Sequence, residues 1–138
     1  MYAEALNEKG EDYATVLPWI DMVRERSGLQ GVKESWDQYV GNSKYATQTG
    51  LRQMIMQERR IELAFEGHYL WDVRRWKTAT TELTQPLTGW KVRYGETDVD
   101  YYSENLVLVR DFTPKMYFWP IDIGELRKDP NLVQNYGW

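Results

Sequence analysis

The chain has 138 residues, 42% of them hydrophobic, which is enough for one modest domain with a packed core and excludes wholesale disorder. Its formal net charge of −4 argues against a nucleic-acid-binding protein, because phosphate binding requires a basic face. The absence of cysteine excludes a disulfide framework and a thiolate metal site.

The N-terminal part of the chain predicts two helices. A first helix covers residues 1–9 and ends at Gly10; a second begins at residue 11 or 12 and runs to Ser27, followed by Gly28. The apolar residues of the second helix recur at three- and four-residue steps: Tyr13, Val16, Leu17, Ile20 and Val23. Pro18 conflicts with a helix interior, so it marks either a kink or the first turn of a helix that begins later.

The spacing of small and apolar residues over residues 3–14 resembles one helix-turn-helix unit of the tetratricopeptide type. No capping residue precedes Tyr2, so the start looks like a cut end and the chain like a piece of a longer protein. We therefore expect the first two helices to expose Tyr2, Leu6 and Val16, whose neighbours in a repeat stack would lie upstream.

The middle of the chain predicts a loop and then two helices. Residues 29–48 are polar and are predicted as a loop, with room for a short helix. A strong helix runs from residue 49 or 50 to Glu66, Gly67 ends it, and a shorter helix covers residues 68–77. The apolar stripe of the strong helix contains Leu51, Met54, Ile55, Ile61 and Phe65. Glu58 and Glu62 lie on that same stripe.

The remainder beyond Thr78 has a different composition, rich in Thr, Gly, Asp and Tyr. It contains two strand-sized apolar runs, Leu106–Val109 and Tyr117–Ile121, and predicts an irregular region with at most a small antiparallel hairpin. The tail is predicted as loop with a turn of helix near Ile123–Arg127. No apolar run approaches the roughly 20 residues of a membrane-spanning helix.

Residues 58–76, which we call the signature segment, combine carboxylates and guanidinia with helically spaced apolar residues. Two glutamates four residues apart repel each other unless cations lie nearby, and arginines of the same segment can provide these cations. We expect a structural network of ion pairs, in which Asp72 either pairs with Arg75 or caps a neighbouring turn. Its members are Glu58, Arg59, Glu62, Glu66, Asp72, Arg74 and Arg75.

The alternative for these carboxylates is glycoside hydrolysis by a pair of acidic groups across a cleft. Arginines close in sequence lower carboxylate pKa values, which is the wrong direction for a general acid, so we expect no enzyme. The lone His68 is predicted as a structural residue, because metal sites recruit several ligands. No phosphate loop or nucleophile motif is present, so no cofactor and no metal are implied.

Three stretches of the chain, in order, resemble the SusD/RagB family. The first is Glu58-Arg-Arg-x-Glu62-Leu-x-x-Glu66-Gly67-x-x-x-x-Asp72-x-Arg74-Arg75-Trp76. The second lies upstream: residues 2–8 and 23–29 are similar to the helical hairpin of the family. The third lies downstream and is similar to the C-terminal ending of the family: it consists of Trp119-Pro-Ile and Asp129-Pro-Asn-Leu-x-Gln-Asn-x-Gly-Trp138. The chain departs from the family at Asp122, where Pro-Ile-Pro is usual, and at Tyr136, where Gln-Asn-Pro-Gly is frequent; both departures bear on local turns.

The resemblance implies a mainly α fold: a tetratricopeptide-like hairpin, the two-helix signature segment and a loop-rich C-terminal part. It implies that residues 1–138 are one domain, the C-terminal fragment of a longer nutrient-binding lipoprotein of the Bacteroidetes outer membrane. Such a protein is surface-exposed and lipid-anchored through an upstream region. It is not an enzyme, and it delivers oligosaccharide to a SusC-like TonB-dependent transporter, with most ligand contacts outside this chain.

The chain is rich in amphipathic rings, with 7 Trp and 10 Tyr against 3 Phe. Such rings suit surfaces that are apolar on one side and wet on the other. The candidate glycan contacts lie in the Gly- and Asp-rich stretch where loops carry function: Trp90, Tyr94, Tyr101 and Tyr102. Two alternatives stay open: these rings cover the core under a long loop, or the chain is a tetratricopeptide-like protein-interaction domain that touches no ligand.

Overall fold

The computed structural model describes residues 1–90 and 97–138 of the chain. The backbone is mainly helical with a small antiparallel sheet, as the sequence predicts. The chain divides into two compact units, Met1–Tyr69 and Leu70–Trp138. That residues 1–138 form a single domain stays a prediction. Within the described ranges, no helix is both long and apolar enough to cross a membrane.

The first unit consists of helices joined by short turns. They are α1 (Tyr2–Lys9), α2 (Tyr13–Arg26), α3 (Val32–Tyr39) and α4 (Gln48–Glu62), with a 3₁₀ turn at Lys44–Ala46. The predicted end of α1 is confirmed at Gly10, whose φ of 87° is a left-handed conformation that glycine adopts without strain. Thr47 caps the N-terminus of α4, because its hydroxyl accepts a hydrogen bond from the Gly50 N–H. Much of the stretch predicted as loop is therefore helical.

The core of the first unit is built mainly from α1, α2 and α4. Its buried side chains are Ala3, Val16, Leu17, Ile20, Val32, Tyr45, Leu51, Met54 and Ile55. Burying one large aliphatic side chain of this kind contributes about 1.5–3 kcal/mol. Pro18 lies in the interior of α2, not in its first turn. The helix continues through the missing hydrogen bond because neighbouring side chains such as Leu17 and Ile20 are anchored in the core.

The predicted exposure of Tyr2, Leu6 and Val16 is correct only for Tyr2. Tyr2 is 57% exposed, Leu6 is half-buried against the core, and Val16 is completely buried. The prediction for Val16 is wrong because the unit covers this side chain itself: Val16 shares a core cluster with Leu51 and Ile55 of α4. The exposed apolar surface of α1 and α2 is therefore smaller than a repeat-stack argument predicts.

The turn after α4 comes earlier than predicted. The helix ends at Glu62 instead of Glu66, and Phe65 already adopts a positive φ of 67°. The predicted positive φ of Gly67 is confirmed at 76°, and α5 (His68–Arg75) follows directly. Phe65 therefore does not continue the apolar stripe of α4, and its side chain is fully exposed.

The second unit combines short helices with a two-stranded hairpin. Its elements after α5 are α6 (Ala79–Glu82), β1 (Leu87–Trp90), α7 (Asp98–Tyr101), β2 (Glu104–Leu108), a 3₁₀ turn (Pro114–Tyr117) and α8 (Ile123–Lys128). The strands are antiparallel, with Leu87 opposite Leu108 and Trp90 opposite Glu104. The apolar run 106–109 thus overlaps β2, whereas residues 117–121 form no strand because the 3₁₀ turn occupies the start of that run.

Candidate functional site

The glutamates of the signature segment bond to arginines of α2. Glu58 on α4 accepts a hydrogen bond from the Nη1 of Arg24, and the two side chains are only 23% and 17% exposed. Arg24 also donates from Nε to the carbonyl of Gln30 at 2.8 Å and from Nη2 to the hydroxyl of Ser35 at 3.3 Å. One guanidinium therefore ties α4, the α2–α3 connection and α3 together.

A second, more exposed pair lies beside the first, between Arg26 on α2 and Glu62 at the end of α4. Neither Arg24 nor Arg26 is predicted from the sequence as a partner, because both lie more than thirty residues upstream of the glutamates they bind. Arg59 is half-buried on α4, where it lines a small apolar cavity together with Glu58 and Glu62. The exposed Glu66 lies in the following turn, 3.9 Å from the Nε2 of His68.

The arginines of α5 hold the second unit together. The predicted pair of Asp72 and Arg75 is present, with Nε 2.8 Å from Oδ1, and Asp72 is buried. The guanidinium of Arg74 lies between two indole rings, 5.7 Å from the centre of Trp71 and 5.2 Å from that of Trp119. Its Nη2 donates to the carbonyl of Tyr117 at 2.8 Å. These contacts position α5 against the following loop, which is a structural use of charge.

The C-terminal residues that resemble the family ending form a network of side chain to backbone hydrogen bonds. The Gln134 amide donates to the carbonyl of Ile121 and accepts from its N–H, at 2.9 and 2.8 Å. Asn135 donates to the carbonyl of Trp119 at 2.6 Å, and the indole of Trp138 donates to that of Phe118 at 3.0 Å. These polar residues stabilise a segment that has no sheet partner.

The departure at Asp122 has a local explanation. Its carboxylate accepts a hydrogen bond from the Gly124 N–H at 2.7 Å and so caps the N-terminus of α8. Aspartate is a favoured N-cap residue because it satisfies one of the free N–H groups at the helix start. Asp122 therefore holds the start of α8 through its own side chain.

The structure brings two of the four candidate glycan contacts together. Trp90 ends β1 and Tyr102 lies just before β2, and their rings pack edge to face with centroids 6.1 Å apart and an interplanar angle of 83°. Both rings stay open to solvent, with 57% and 63% of each residue exposed. Tyr101 is the last residue of α7, and Tyr94 lies outside the described residues.

The aromatic pair lies on a hairpin that is itself exposed. Every residue of β2 is exposed, among them Leu106, Val107 and Leu108, and Leu87 of β1 is 40% exposed. The interpretation that Trp90 and Tyr102 cover a core under a long loop is therefore not supported for these two rings. An apolar face flanked by amphipathic rings is the arrangement that ligand-binding and protein-binding surfaces share.

Three acidic side chains of the signature segment form ion pairs with arginines. Glu58 bonds to Arg24, Glu62 to Arg26 and Asp72 to Arg75, so each of these carboxylates is part of an ion pair. Among residues 1–90 and 97–138, no group of three or more His, Asp or Glu side chains could hold a metal ion.

Comparison with known proteins places this geometry in a wider context. The model of the SusD family matches residues 1–138. A SusD-like protein from Bacteroides fragilis is 29% identical, with a TM-score of 0.78 over 99% of this chain and 23% of that one. A SusD-like carbohydrate binding protein from the same species is 29% identical, with a TM-score of 0.73 over 96% of this chain and 26% of that one. No curated protein matches the chain. The chain thus spans a minor part of the length of these structures.

Proposed function

We propose that this chain, which belongs to the SusD family, forms part of a non-enzymatic glycan-binding protein. The observation that carries the proposal is the solvent-exposed pair of Trp90 and Tyr102 at the end of the hairpin where β1 stops and β2 begins. The name of the Bacteroides fragilis carbohydrate binding protein, which is 29% identical, supports the ligand class.

The geometry of the pair suits a sugar ring. The C–H groups of one pyranose face are apolar and stack on an aromatic ring, while the hydroxyl groups around the edge stay hydrated or bond to polar groups. Because the two rings meet at 83°, the edge contact fixes the orientation of each ring. A ligand that stacks on Trp90 therefore meets a ring whose position is already set, which lowers the entropy cost of binding.

The cellular setting follows from the family and is part of the same proposal. The protein would act at the surface of the bacterial outer membrane, anchored by a lipid on a region outside this sequence. It would pass bound oligosaccharide to a SusC-like TonB-dependent transporter. The exposed apolar residues of β2, such as Val107 at 66% exposure, offer a surface suited to such protein contacts.

Calorimetry with a panel of oligosaccharides tests the proposal, using the full chain and the Trp90→Ala and Tyr102→Ala variants. We expect each substitution to weaken binding about tenfold or more, since aromatic anchors at the centre of a site carry most of the binding energy. Tyr136→Ala is the matched control, because Tyr136 is 78% exposed and lies outside the hairpin. Binding that is unchanged in both hairpin variants would contradict the proposed site.

The non-enzymatic part of the proposal has a separate test. No reducing sugar should appear when the chain is incubated with the same oligosaccharides, because the candidate carboxylates are bonded to guanidinia. Sugar release that disappears in Glu58→Gln or Glu62→Gln, while the fold is retained, would make the protein a hydrolase.

A further inference from the structure

The first unit contains a cavity of about 310 Å³ between α2, α3 and α4, away from the aromatic pair in sequence and in a different unit. It is lined by Arg24, Val32, Trp36, Lys44, Gln53, Met54, Gln57 and Glu58. Its size lies at the lower end of the roughly 300–1,000 Å³ range of small-molecule sites, so it suits a ligand of about one sugar ring.

The cavity wall has an apolar part and a polar part. Val32 and Met54 are buried, and Trp36 packs against the core while it lines the cavity. Gln53 and Gln57 line the same space, and no hydrogen bond of the described residues involves their side-chain amides. An aromatic wall next to unpaired amide donors and acceptors is the chemistry that recognises a ring with apolar faces and hydroxyl edges.

Hydrogen bonds hold the aromatic wall and the adjoining turn in place. The amide oxygen of Asn42 accepts from the Trp36 indole at 2.7 Å and from the backbone N–H of Lys44 at 3.2 Å. The turn also packs tightly on α4: a Cβ at Gly50 would lie 2.1 Å from the carbonyl oxygen of Lys44. Asn42 therefore links the Trp36 ring to the backbone of Lys44, and both residues line the cavity.

Among the charged side chains that line the cavity, one cation forms no ion pair with the described residues. Arg24 and Glu58 neutralise each other in the wall. The ammonium group of Lys44 has no ion-pair partner among the described residues, and Lys44 is exposed at the rim. The cavity therefore carries a net positive charge and favours a ligand that brings an anion to that rim.

We propose that this cavity is a second glycan subsite that binds a uronic acid residue, a sugar ring that carries a carboxylate. Trp36 contacts the apolar face of the ring, Gln53 and Gln57 bond its hydroxyl groups, and the Lys44 ammonium pairs with its carboxylate. The inference rests on the proposed function for its ligand class, but it concerns different residues in a different unit.

NMR titration of the full chain tests the subsite, with the indole N–H signal of Trp36 assigned through Trp36→Phe. The probes are a galacturonic acid disaccharide and the galactose disaccharide of the same linkage. We expect saturable movement of the Trp36 signal, with the acidic probe binding roughly two- to fivefold more tightly, the size of effect that an exposed ion pair gives.

Lys44→Met should make the two probes bind equally, because it keeps the length of the side chain and removes its charge. Lys9→Met is the control: it removes an equal charge from α1, where Lys9 pairs with Glu11, and it should leave the preference intact. A Trp36 signal that neither probe moves, or a preference that survives Lys44→Met, would overturn the inference. Movement of the Trp90 signal alone would overturn this subsite and support the proposed hairpin site. Movement of the Trp36 signal alone would support this subsite and contradict the hairpin site.

Discussion

Glu58 and Arg24 lie 34 residues apart in sequence, and the carboxylate of one bonds directly to the guanidinium of the other in the interior of the first unit. The pair connects α4 to α2 while Arg24 also bonds to Gln30 and Ser35. Charged residues of the signature segment therefore act by holding helices in position. This is a role that does not require them to face a ligand.

Removing one partner of this pair should destabilise the fold. We expect Glu58→Gln to lower the free energy of unfolding by about 1–3 kcal/mol, because the half-buried guanidinium of Arg24 loses its charged acceptor. Glu62→Gln is the matched control, since its partner Arg26 is 69% exposed, and it should cost less than about 1 kcal/mol. Urea denaturation measures both. Equal losses in the two variants would show that the burial of the first pair has no energetic consequence.

The core of the first unit should respond strongly to truncation. Leu51 on α4 is only 1% exposed, so we expect Leu51→Ala to cost about 2–5 kcal/mol through lost burial and the cavity that remains. Leu29 is 53% exposed in the α2–α3 connection, and the same substitution there should cost less than about 0.5 kcal/mol. Thermal denaturation of the two variants compares them. A small loss for Leu51→Ala would mean that α4 is not packed as described.

Helix positions with local signals are predictable from the sequence. Gly10 ends α1 with left-handed backbone, Gly67 has the predicted positive φ in the turn before α5, and the predicted turn of helix near residue 123 is confirmed as α8. Helix α3 is predicted only as a short helix within a loop, because Val32–Tyr39 carries few apolar residues. Its position is set by tertiary contacts, in which buried Val32 and half-buried Trp36 pack on the core.

The structural features that the sequence does not predict depend on contacts between residues far apart in the chain. The end of α4 is misplaced because the apolar stripe continues to Phe65, yet the backbone turns there with a φ that non-glycine residues seldom adopt. The partners Arg24 and Arg26 of Glu58 and Glu62 are missed because they lie on another helix, more than thirty residues upstream in the sequence. Residues 90 and 102 are candidate glycan contacts in the sequence, but the alternative that their rings cover a core stays open there, and their exposure is seen only in the structure.

Acid should weaken the contact between α1 and α4. Arg52 donates to Glu8 with Nη2 2.6 Å from Oε2, and mainly through this hydrogen bonding it holds the pKa of the Glu8 carboxyl below its ordinary value. A lowered pKa means that the stabilisation is complete above the pKa of the unfolded glutamate, about 4.3, and is lost as the pH falls through the lower, folded value. NMR titration of the Glu8 carboxyl should give a midpoint that rises in Arg52→Met. A midpoint that is the same in both proteins would contradict the assignment.

The exposed apolar surface of α1 and α2 should promote self-association of this chain. Tyr2 and Trp19 form an edge-to-face pair with centroids 4.7 Å apart, and both rings are about half exposed, as is Met22 on α2. Contiguous apolar surface of this kind favours contact with a second molecule. Sedimentation velocity should show concentration-dependent association that Trp19→Ser reduces. Tyr39→Ser on α3, which removes a ring that is 73% exposed, is the control and should leave it unchanged. A monomer at all concentrations would contradict the prediction.

The central claim is that the hairpin rings contact sugar. The most direct measurement is an NMR titration of the full chain with neutral oligosaccharides, followed through the indole N–H of Trp90 and assigned with Trp90→Phe. We expect saturable movement of that signal, with a midpoint at least about tenfold higher in Tyr102→Ala because the edge-to-face partner that orients the ring is lost. A Trp90 signal that stays fixed while calorimetry records binding would place the sugar elsewhere and contradict the account.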